Sequence, residues 1–413
     1  MKLNNYHLTY CTNIHPGEAW SQVFNNLQKY IPTLKARLSE HKPFGIGLSL
    51  ANIATHTLLK ENTLSYFQWW LEEHNLYVFT LNGFPYGTFH GQPVKDQVYA
   101  PDWSTKERLE YTFRLLHILA PLLPEGVQGS ISTLPISYKP WFKQNQVYLS
   151  FVIMNATRHI ARVVAEMVRV HRKTGKFVYL ALEPEPDGVI ENSAEVINYF
   201  QIYLLPLGGK YLANDLGISQ EKAEQLLLEH VRICYDTCHF ALEYEKPVST
   251  IKQFLAAGIK IGKIQISAAL KLNLSDDIKK HAALSKKLRN FAESTYLHQA
   301  IARDINGQLY QYSDLDEALP DFEDSIAQEW RIHFHVPIVL NEYQDLLSTQ
   351  DDIIEILELL KIQNFCNHLE IETYTWEVLP HDMKLDIITS IQREYKWIMQ
   401  KLCQAPSKIS SSI

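Results

Sequence analysis

Short apolar runs of strand length alternate along this chain with longer stretches whose apolar positions recur three or four residues apart. Residues 7–12, 44–50, 77–82, 129–134, 177–183, 231–236 and 262–267 read in this way as seven strands, and 330–337 and 368–376 as two more. The helical period marks 18–38, 63–74, 104–123, 152–170, a segment opening at Ser219, 250–257, 352–360 and 383–402. Phe67, Trp70 and Leu71 give the second of these an inward face, and Asn62 before it is an N-cap type. Ser104-Thr-Lys-Glu107 has the spacing of a capping box for the third.

Strand followed by helix, repeated, builds a parallel sheet. Nine candidate strands are one too many for a closed (β/α)8 barrel. The run around His333 is the surplus one, because no clear helix separates it from an insertion over about 268–330. Within that insertion Asp304-Ile-Asn-Gly307 is a hairpin turn signal between 297–301 and 309–312. No G-x-G-x-x-G turn opens the chain, so a barrel is expected rather than an open doubly wound sheet. The expected architecture is a single α/β TIM barrel over residues 1–405, with an insertion after strand seven and a flexible tail at 406–413.

Two departures from the pattern carry chemistry. Residues 83–103 hold Pro85, Pro93, Pro101, Gly87 and Gly91, a loop of a length that suggests a lid or binding loop. Its Phe84, Tyr86, Phe89 and His90 either stack on a ligand at the barrel mouth or pack on one another. His15, at the exit of strand one, either joins the site or caps local backbone. The second departure is in the later strands, which should be almost wholly apolar if buried on both faces. Lys263, Gln265 and Ser267 instead share one parity, as do Glu370 with Glu372 and His333 with His335, while Asp236 lies opposite Ile233 and Tyr235. Apolar alternates turned toward the helices leave these polar side chains facing the barrel axis.

Carboxylates converging there would repel one another and lose hydration, so they take up protons or bind a cation. Glu183 closes strand five, and His239 follows Asp236 by three residues. With His333, His335 and Glu372 they make a mixed oxygen–nitrogen set suited to Mn²⁺, Mg²⁺, Co²⁺ or Zn²⁺, with positions left for substrate oxygens. Glu183 and Glu372 are also placed to exchange a proton with a carbon next to a carbonyl. Asn82, Phe84, Tyr86, His90, Lys263, Gln265 and Trp376 complete the expected substrate contacts. The competing reading pairs the same carboxylates with Lys263, Arg232 and Arg331 as a buried ion network.

Composition narrows the class without choosing the chemistry. A chain of 413 residues with 46% hydrophobic and 21% charged residues is globular and able to bury a large core. The net charge of -7 argues mildly against a phosphate-backbone ligand. No run approaches the roughly 18 apolar residues that cross a bilayer. The first seven residues lack a signal-peptide core, so a cytoplasmic location is expected. Five cysteines give no disulfide framework. Cys234 and Cys238 flank Asp236 without C-x-x-C spacing, which favours buried structural thiols over a zinc–thiolate site.

The motifs Tyr10-Cys-Thr-Asn-Ile-His-Pro-Gly17, Thr80-Leu-Asn-Gly-Phe-Pro-Tyr-Gly87, Leu182-Glu-Pro-Glu-Pro186, Asp236-Thr-Cys-His239, His333-Phe-His-Val-Pro337 and Glu372-Thr-Tyr-Thr-Trp376 resemble the EboE family of metabolite traffic proteins. The segments Val98-Tyr-Ala-Pro-Asp-Trp103, Ser130-Ile-Ser-Thr-Leu-Pro135 and Lys263-Ile-Gln-Ile-Ser267 extend that resemblance over nearly the whole chain. It implies the xylose-isomerase-like barrel superfamily of sugar isomerases, epimerases and endonuclease IV-like enzymes. It also implies a gene cluster that moves a secondary metabolite, with other proteins of that cluster as partners. The superfamily's strand-five Glu is similar to Glu183, its strand-six Asp-x-x-His to Asp236 and His239, its strand-eight Glu to Glu372, and its endonuclease-branch pair to His333 and His335. On strand seven, where a His ligand is usual, Gln265 stands instead.

Three functions follow as expectations. One is a divalent-metal-dependent isomerase or epimerase of a small polyhydroxylated or cyclic metabolite. The second is a non-catalytic escort protein holding such a metabolite, which Gln265 favours. The third, a DNA-repair endonuclease, would need a dense Lys/Arg patch near the mouth that the sequence does not supply.

Overall fold

The computed structural model describes residues 1–274, 278–343, 345–379 and 385–405. Eight parallel strands form the barrel: β1 Tyr6–Tyr10, β2 Phe44–Ser49, β3 Leu76–Asn82, β4 Gly129–Thr133, β5 Val178–Leu182, β6 Val231–Asp236, β7 Ile261–Ile266 and β8 His368–Ile371. They pair in chain order, and β8 returns to pair with β1. Closure between β1 and β2 rests on a single bridge, Cys11 to Gly47, reinforced where Thr9 Oγ1 accepts from Gly47 N at 2.8 Å and donates to Gly45 O at 3.1 Å. A Cβ on Gly47 would stand 1.9 Å from Glu370 Oε1, so this strand needs glycine for a buried carboxylate to fit against it. The expected barrel is therefore present and nearly closed.

The helices form because their apolar positions repeat at the helical period over the strand faces. Trp20–Leu38 buries Val23, Leu27, Ile31 and Leu34, and Thr63–Glu73 buries Phe67, Trp70 and Leu71, as the sequence pattern predicts. Gln146–Thr174 is capped by Asn145, which accepts from Tyr148 N at 2.9 Å, and ends at left-handed Gly175. Ser219 caps Gln220–His230, as expected.

Several local expectations are corrected. Asn62 makes no capping hydrogen bond. The cap of Lys106–Leu122 is Thr105 rather than Ser104; Asp102 already engages Ser104, through its N–H and its hydroxyl. Helices Asn52–Leu58 and Ser193–Tyr199, and the π-helix Phe200–Gly208 running on into Gly209–Leu216, were not legible as separate periods. The last strand is shorter than its apolar run, since Tyr374–Glu377 winds into a 3-10 turn. The expected start of the final helix at 383 and the tail at 406–413 lie outside the described residues; the helix is described from Ile387 to Cys403.

A second, antiparallel sheet occupies the chain between β7 and β8. Its strands lie in the order Leu309–Tyr312, Ala300–Arg303, Glu329–Val336, Ala268–Asn273, Leu346–Ser348, Glu342–Tyr343. The surplus run at His333 belongs here and not to the barrel. The expected hairpin about Asp304–Gly307 is its Ala300–Arg303 and Leu309–Tyr312 pair. The register of Glu329–Val336 shifts between Ile332 and Val336, and that irregular stretch carries His333 and His335.

Glu394 on the last helix ties this sheet to the barrel: its Oε1 accepts from Ile338 N at 3.1 Å and Thr373 Oγ1 at 2.9 Å. Burial pushes its carboxyl up to about 8. A carboxyl whose pKa is raised on folding keeps a proton that the unfolded chain has lost, so its contribution to stability declines as pH rises from about 4.5 to about 8. Glu394→Gln keeps the accepting oxygen and removes the titration. Urea unfolding should show this variant escaping a loss of roughly 1.4 kcal/mol per pH unit across that window. Parallel pH profiles for the two proteins would refute it.

Candidate metal centre

The carboxyl ends of β5, β6 and β8 bring Glu183, Asp236 and Glu372 together, with one oxygen of each within 4.8 Å of the others. All three are buried. Asp236 starts the short helix Thr237–Leu242: its Oδ1 accepts from Cys238 N at 2.7 Å, His239 N at 3.1 Å and Ser267 Oγ at 2.6 Å. Its Oδ2 has no partner, and neither has Glu183 Oε2. Glu372 Oε1 is held by two amides, Asn13 Nδ2 at 2.9 Å and Asn82 Nδ2 at 3.0 Å. Burial, then Glu372 and Asp236, push Glu183 well above the usual carboxylate range; burial and Asp236 do the same to Glu372.

Three histidines face this triad, and their hydrogen bonds fix which nitrogen is bare. His239 Nδ1 donates to Pro184 O at 3.0 Å, His335 Nδ1 to Glu372 O at 2.6 Å, and His333 Nδ1 to Gln299 Oε1 at 2.7 Å. Gln299 Nε2 donates to Pro186 O at 3.1 Å, which sets the orientation of that amide. Every Nε2 is left with its lone pair, and those of His333 and His335 lie 3.3 Å apart. Burial holds His333 well below its ordinary value and His335 down to about 4, so a shared proton does not relieve the contact. A cation does. Asp236, His239 and His335 form one close group of potential ligand atoms, and Glu185, His239 and His333 another.

Glu185 is a site residue that the sequence reading passed over. It lies 3.7 Å from His333 Nδ1, its Oε2 lacks a partner, and burial raises its carboxyl to about 7. Asn13 and Gln299 were passed over as well, because Asn13 lies in a 3-10 turn and Gln299 in irregular backbone of the insertion, where no strand parity aims a side chain. Cys238 Sγ lies within 4.8 Å of His333 and His335 nitrogens, closer to the histidines than the expected structural thiol need be. Cys234 donates to Gln265 Oε1 at 2.8 Å.

The lid caps the site. Arg108, fully buried, donates through Nη1 to Gly83 O at 2.8 Å and Phe84 O at 2.9 Å, and through Nε to Pro101 O at 2.8 Å, stapling both ends of the loop. Its middle meets the second sheet region where Val94 N donates to Thr295 O at 2.8 Å and Lys95 pairs with Asp314 at 2.5 Å. Phe84, Phe89, Tyr296 and Tyr374 wall a cavity of about 60 Å³ over Glu183, Glu185, His239, His333, His335 and Glu372, with Asn13 and Asn82 at its edge. That is room for an ion and a few atoms beneath the loop.

Five of the expected substrate contacts do not line this cavity. Lys263 and Glu370 form a fully buried ion pair, two residues deeper along the strands than Gln265 and Glu372, and Lys263 Nζ also donates to Ser132 Oγ at 3.1 Å. Gln265 is buried with its oxygen engaged by the Cys234 thiol. Tyr86 packs on Tyr111, with its ring 5.7 Å from the Arg108 guanidinium. His90 bonds Asn13 O and Tyr296 Oη and borders a neighbouring cavity beside His15. His15 itself is held by Tyr10 Oη at 2.8 Å and stacked on Tyr30, and it does not line the mouth cavity, so neither of its expected roles is seen. Trp376 lines a separate cavity with Pro337 and Arg393, and Tyr374 takes the place at the mouth. The ion-network reading thus applies to Lys263 and Glu370. Arg331 pairs with Glu329 and Asp352, and Arg232 lies over the Tyr179 ring, so neither reaches the triad.

Gln299 fixes the His333 tautomer from outside the ligand set. Gln299→Leu should weaken divalent-metal binding by about 10–100-fold in a chelator competition, and unchanged affinity would show that His333 is not a ligand.

No family profile and no curated protein sequence matches the chain. Among solved structures, it is similar to a xylose isomerase-like TIM barrel protein from Mycobacterium smegmatis in complex with magnesium, at 11% identity over 96% of each chain and a TM-score of 0.48. It is similar to the probable 3-DHS dehydratase AsbF of petrobactin synthesis from Bacillus anthracis, at 12% identity over 94% of this chain and 97% of that one, TM-score 0.43. An IolI protein with a bound zinc atom gives 11% identity over 97% and 100%, TM-score 0.44. The chain is a (β/α)8 barrel, and the solved structures similar to it include xylose isomerase-like TIM barrel proteins.

Proposed function

We propose that the barrel mouth holds a divalent cation and uses it to isomerise or epimerise a small polyhydroxylated metabolite. The observation that carries this reading is the convergence of three imidazoles, each with Nδ1 engaged and Nε2 bare, on buried carboxylates with unpartnered oxygens. These donors fit a cation of the Mn²⁺, Mg²⁺, Co²⁺ or Zn²⁺ kind. Glu183, Asp236, His239 and His335 would hold it, with Glu185, His333 and Glu372 in reach of it or of a second ion. When bound, the cation supplies Lewis-acid polarisation of a substrate carbonyl and its neighbouring hydroxyl. Glu183, with its free oxygen, takes the proton from the carbon beside that carbonyl, and Glu372, oriented by Asn13 and Asn82, serves the opposite face. Phe84, Phe89 and Tyr374 keep water away while the carbon is deprotonated.

The resemblance to the EboE family supports a role for this chemistry in metabolite traffic, alongside other proteins of one gene cluster. One observation favours an escort without catalysis: Gln265 Oε1 is committed to the Cys234 thiol, so β7 offers the cation nothing. Two measurements separate the readings. Protein purified without chelator should carry about one equivalent of divalent metal or more, and a near-zero content would sink the metal reading. Incubation with candidate sugars in deuterated water should place deuterium on carbon, and Glu183→Gln should stop it; metal without any exchange would leave the escort.

A further inference from the structure

The second sheet ends in a strand paired on one side only, with an unusual charge environment. Residues 304–329 contain eight carboxylates and no lysine, arginine or histidine; Asp314 pairs with Lys95, and Glu329 with Arg303 and Arg331, which leaves six acidic groups about the hairpin and the helix beside it. Helix Leu315–Phe322 turns Leu315, Ala318, Leu319 and Phe322 inward and leaves Asp316, Glu317 and Asp321 exposed. Beside it, Leu309–Tyr312 is the edge strand. The hairpin closes with Asp304 N donating to Gln308 O, and antiparallel alternation from that pair turns the N–H and C=O of Leu309 and Gln311 outward. Only the Gln308 side chain, at 3.2 Å from Leu309 O, occupies this edge among the described residues. Apolar side chains cluster at the same end. Ile305 is 74% exposed and Ile326 80%, on segments that leave the sheet side by side where Gln328 N meets Arg303 O. Leu309 and Tyr310 are exposed too.

An open edge flanked by bare apolar groups is a template for an added strand. Charge selects the occupant. A second copy docked edge to edge about a two-fold axis would bring two acidic tips together, and a nucleic acid or anionic bilayer would meet the same repulsion. We propose that this edge receives an extended basic segment of another protein. Its backbone would pair with Leu309 and Gln311, its apolar side chains would cover Ile305 and Leu309, and its lysines or arginines would face Asp316 and Asp321. The proposal is independent of the metal centre.

The test uses the full chain and a fluorescein-labelled heptapeptide of alternating lysine and valine, with its glutamate–valine counterpart as control, read by anisotropy. The basic peptide should bind saturably and the acidic one should not. Gln311→Pro removes an outward N–H without breaking a ladder bond and should abolish binding. The charge reversal Asp316→Lys with Asp321→Lys, at exposed positions, should weaken it about tenfold, as expected of a few surface ion pairs. Failure of the basic peptide to bind, equal binding of both peptides, or affinity unmoved by both variants would overturn the proposal.

Discussion

Arg108→Leu should cost the fold about 3 kcal/mol and open the lid, an effect large for a residue that touches no ligand. The guanidinium is fully buried and donates to three backbone carbonyls, two at the start of the 83–103 loop and one near its end. Burial lowers its own pKa to about 10, so holding the charge there is already unfavourable, and the hydrogen bonds must offset that cost. Leucine relieves the buried charge but leaves Gly83 O, Phe84 O and Pro101 O without those donors, at about 1–3 kcal/mol for each group left unsatisfied. Tyr111, donating to Leu50 O at 2.5 Å and Pro85 O at 3.2 Å, would remain beside the Val94 and Lys95 contacts. Two readouts separate a lid effect from general loosening. Urea unfolding gives the stability change, and hydrogen exchange should quicken across residues 84–101 while the amides of β4 to β6 keep their protection. Arg108→Lys should recover only part of the loss, since one ammonium does not reproduce the forked geometry. Uniform exchange across barrel and loop would show that Arg108 supports the core and not the lid.

The same loop shows where sequence reading succeeds and where it stops. Its length, prolines and aromatic content marked it as a lid or binding loop, and Phe84 and Phe89 do wall the cavity. Tyr86 and His90 do not, because side-chain direction in irregular backbone has no fixed period to read. In strands the period is two, and there parity served well: Asp236, Glu370 and Glu372 all turn inward as alternation requires. Parity does not give depth, however. Lys263 and Gln265 share the inward face but sit below the cavity, where Lys263 neutralises Glu370. Glu183, Asp236 and His239 were legible because each ends an apolar run or follows one within three residues. His333 and His335 could be named but not placed, since their position depends on a second sheet folding over the mouth from an insertion. Glu185 follows Glu183 by two residues, but β5 ends at Leu182 and Pro184 stands between the two glutamates, so no strand parity carries from one to the other.

Loading the metal-free protein with Mn²⁺ or Zn²⁺ should raise its unfolding free energy by about 4 kcal/mol at a thousandfold excess over the dissociation constant. Asp236→Asn should remove most of that gain. Without a cation, Glu183, Asp236 and Glu372 share a buried space within 4.8 Å and cannot all ionise cheaply. Burial, with Glu372 and Asp236, raises Glu183, and burial with Asp236 raises Glu372. The folded metal-free protein therefore keeps protons that the unfolded chain loses above about pH 4.5, and its stability falls as pH rises. Metal ligation needs the deprotonated groups, so the stabilisation by metal should grow from pH 6 to pH 8. Asp236→Asn tests the site with little damage to the fold, because an amide oxygen can still cap Cys238 N and His239 N while the ligating charge is gone. The metal-free variant should melt close to, or above, the metal-free parent, since one buried like charge has been removed from the triad. A variant that keeps the full metal-induced shift, or a shift that does not change with pH, would mean that the bare imidazole nitrogens and the carboxylate triad do not act together as one cation site.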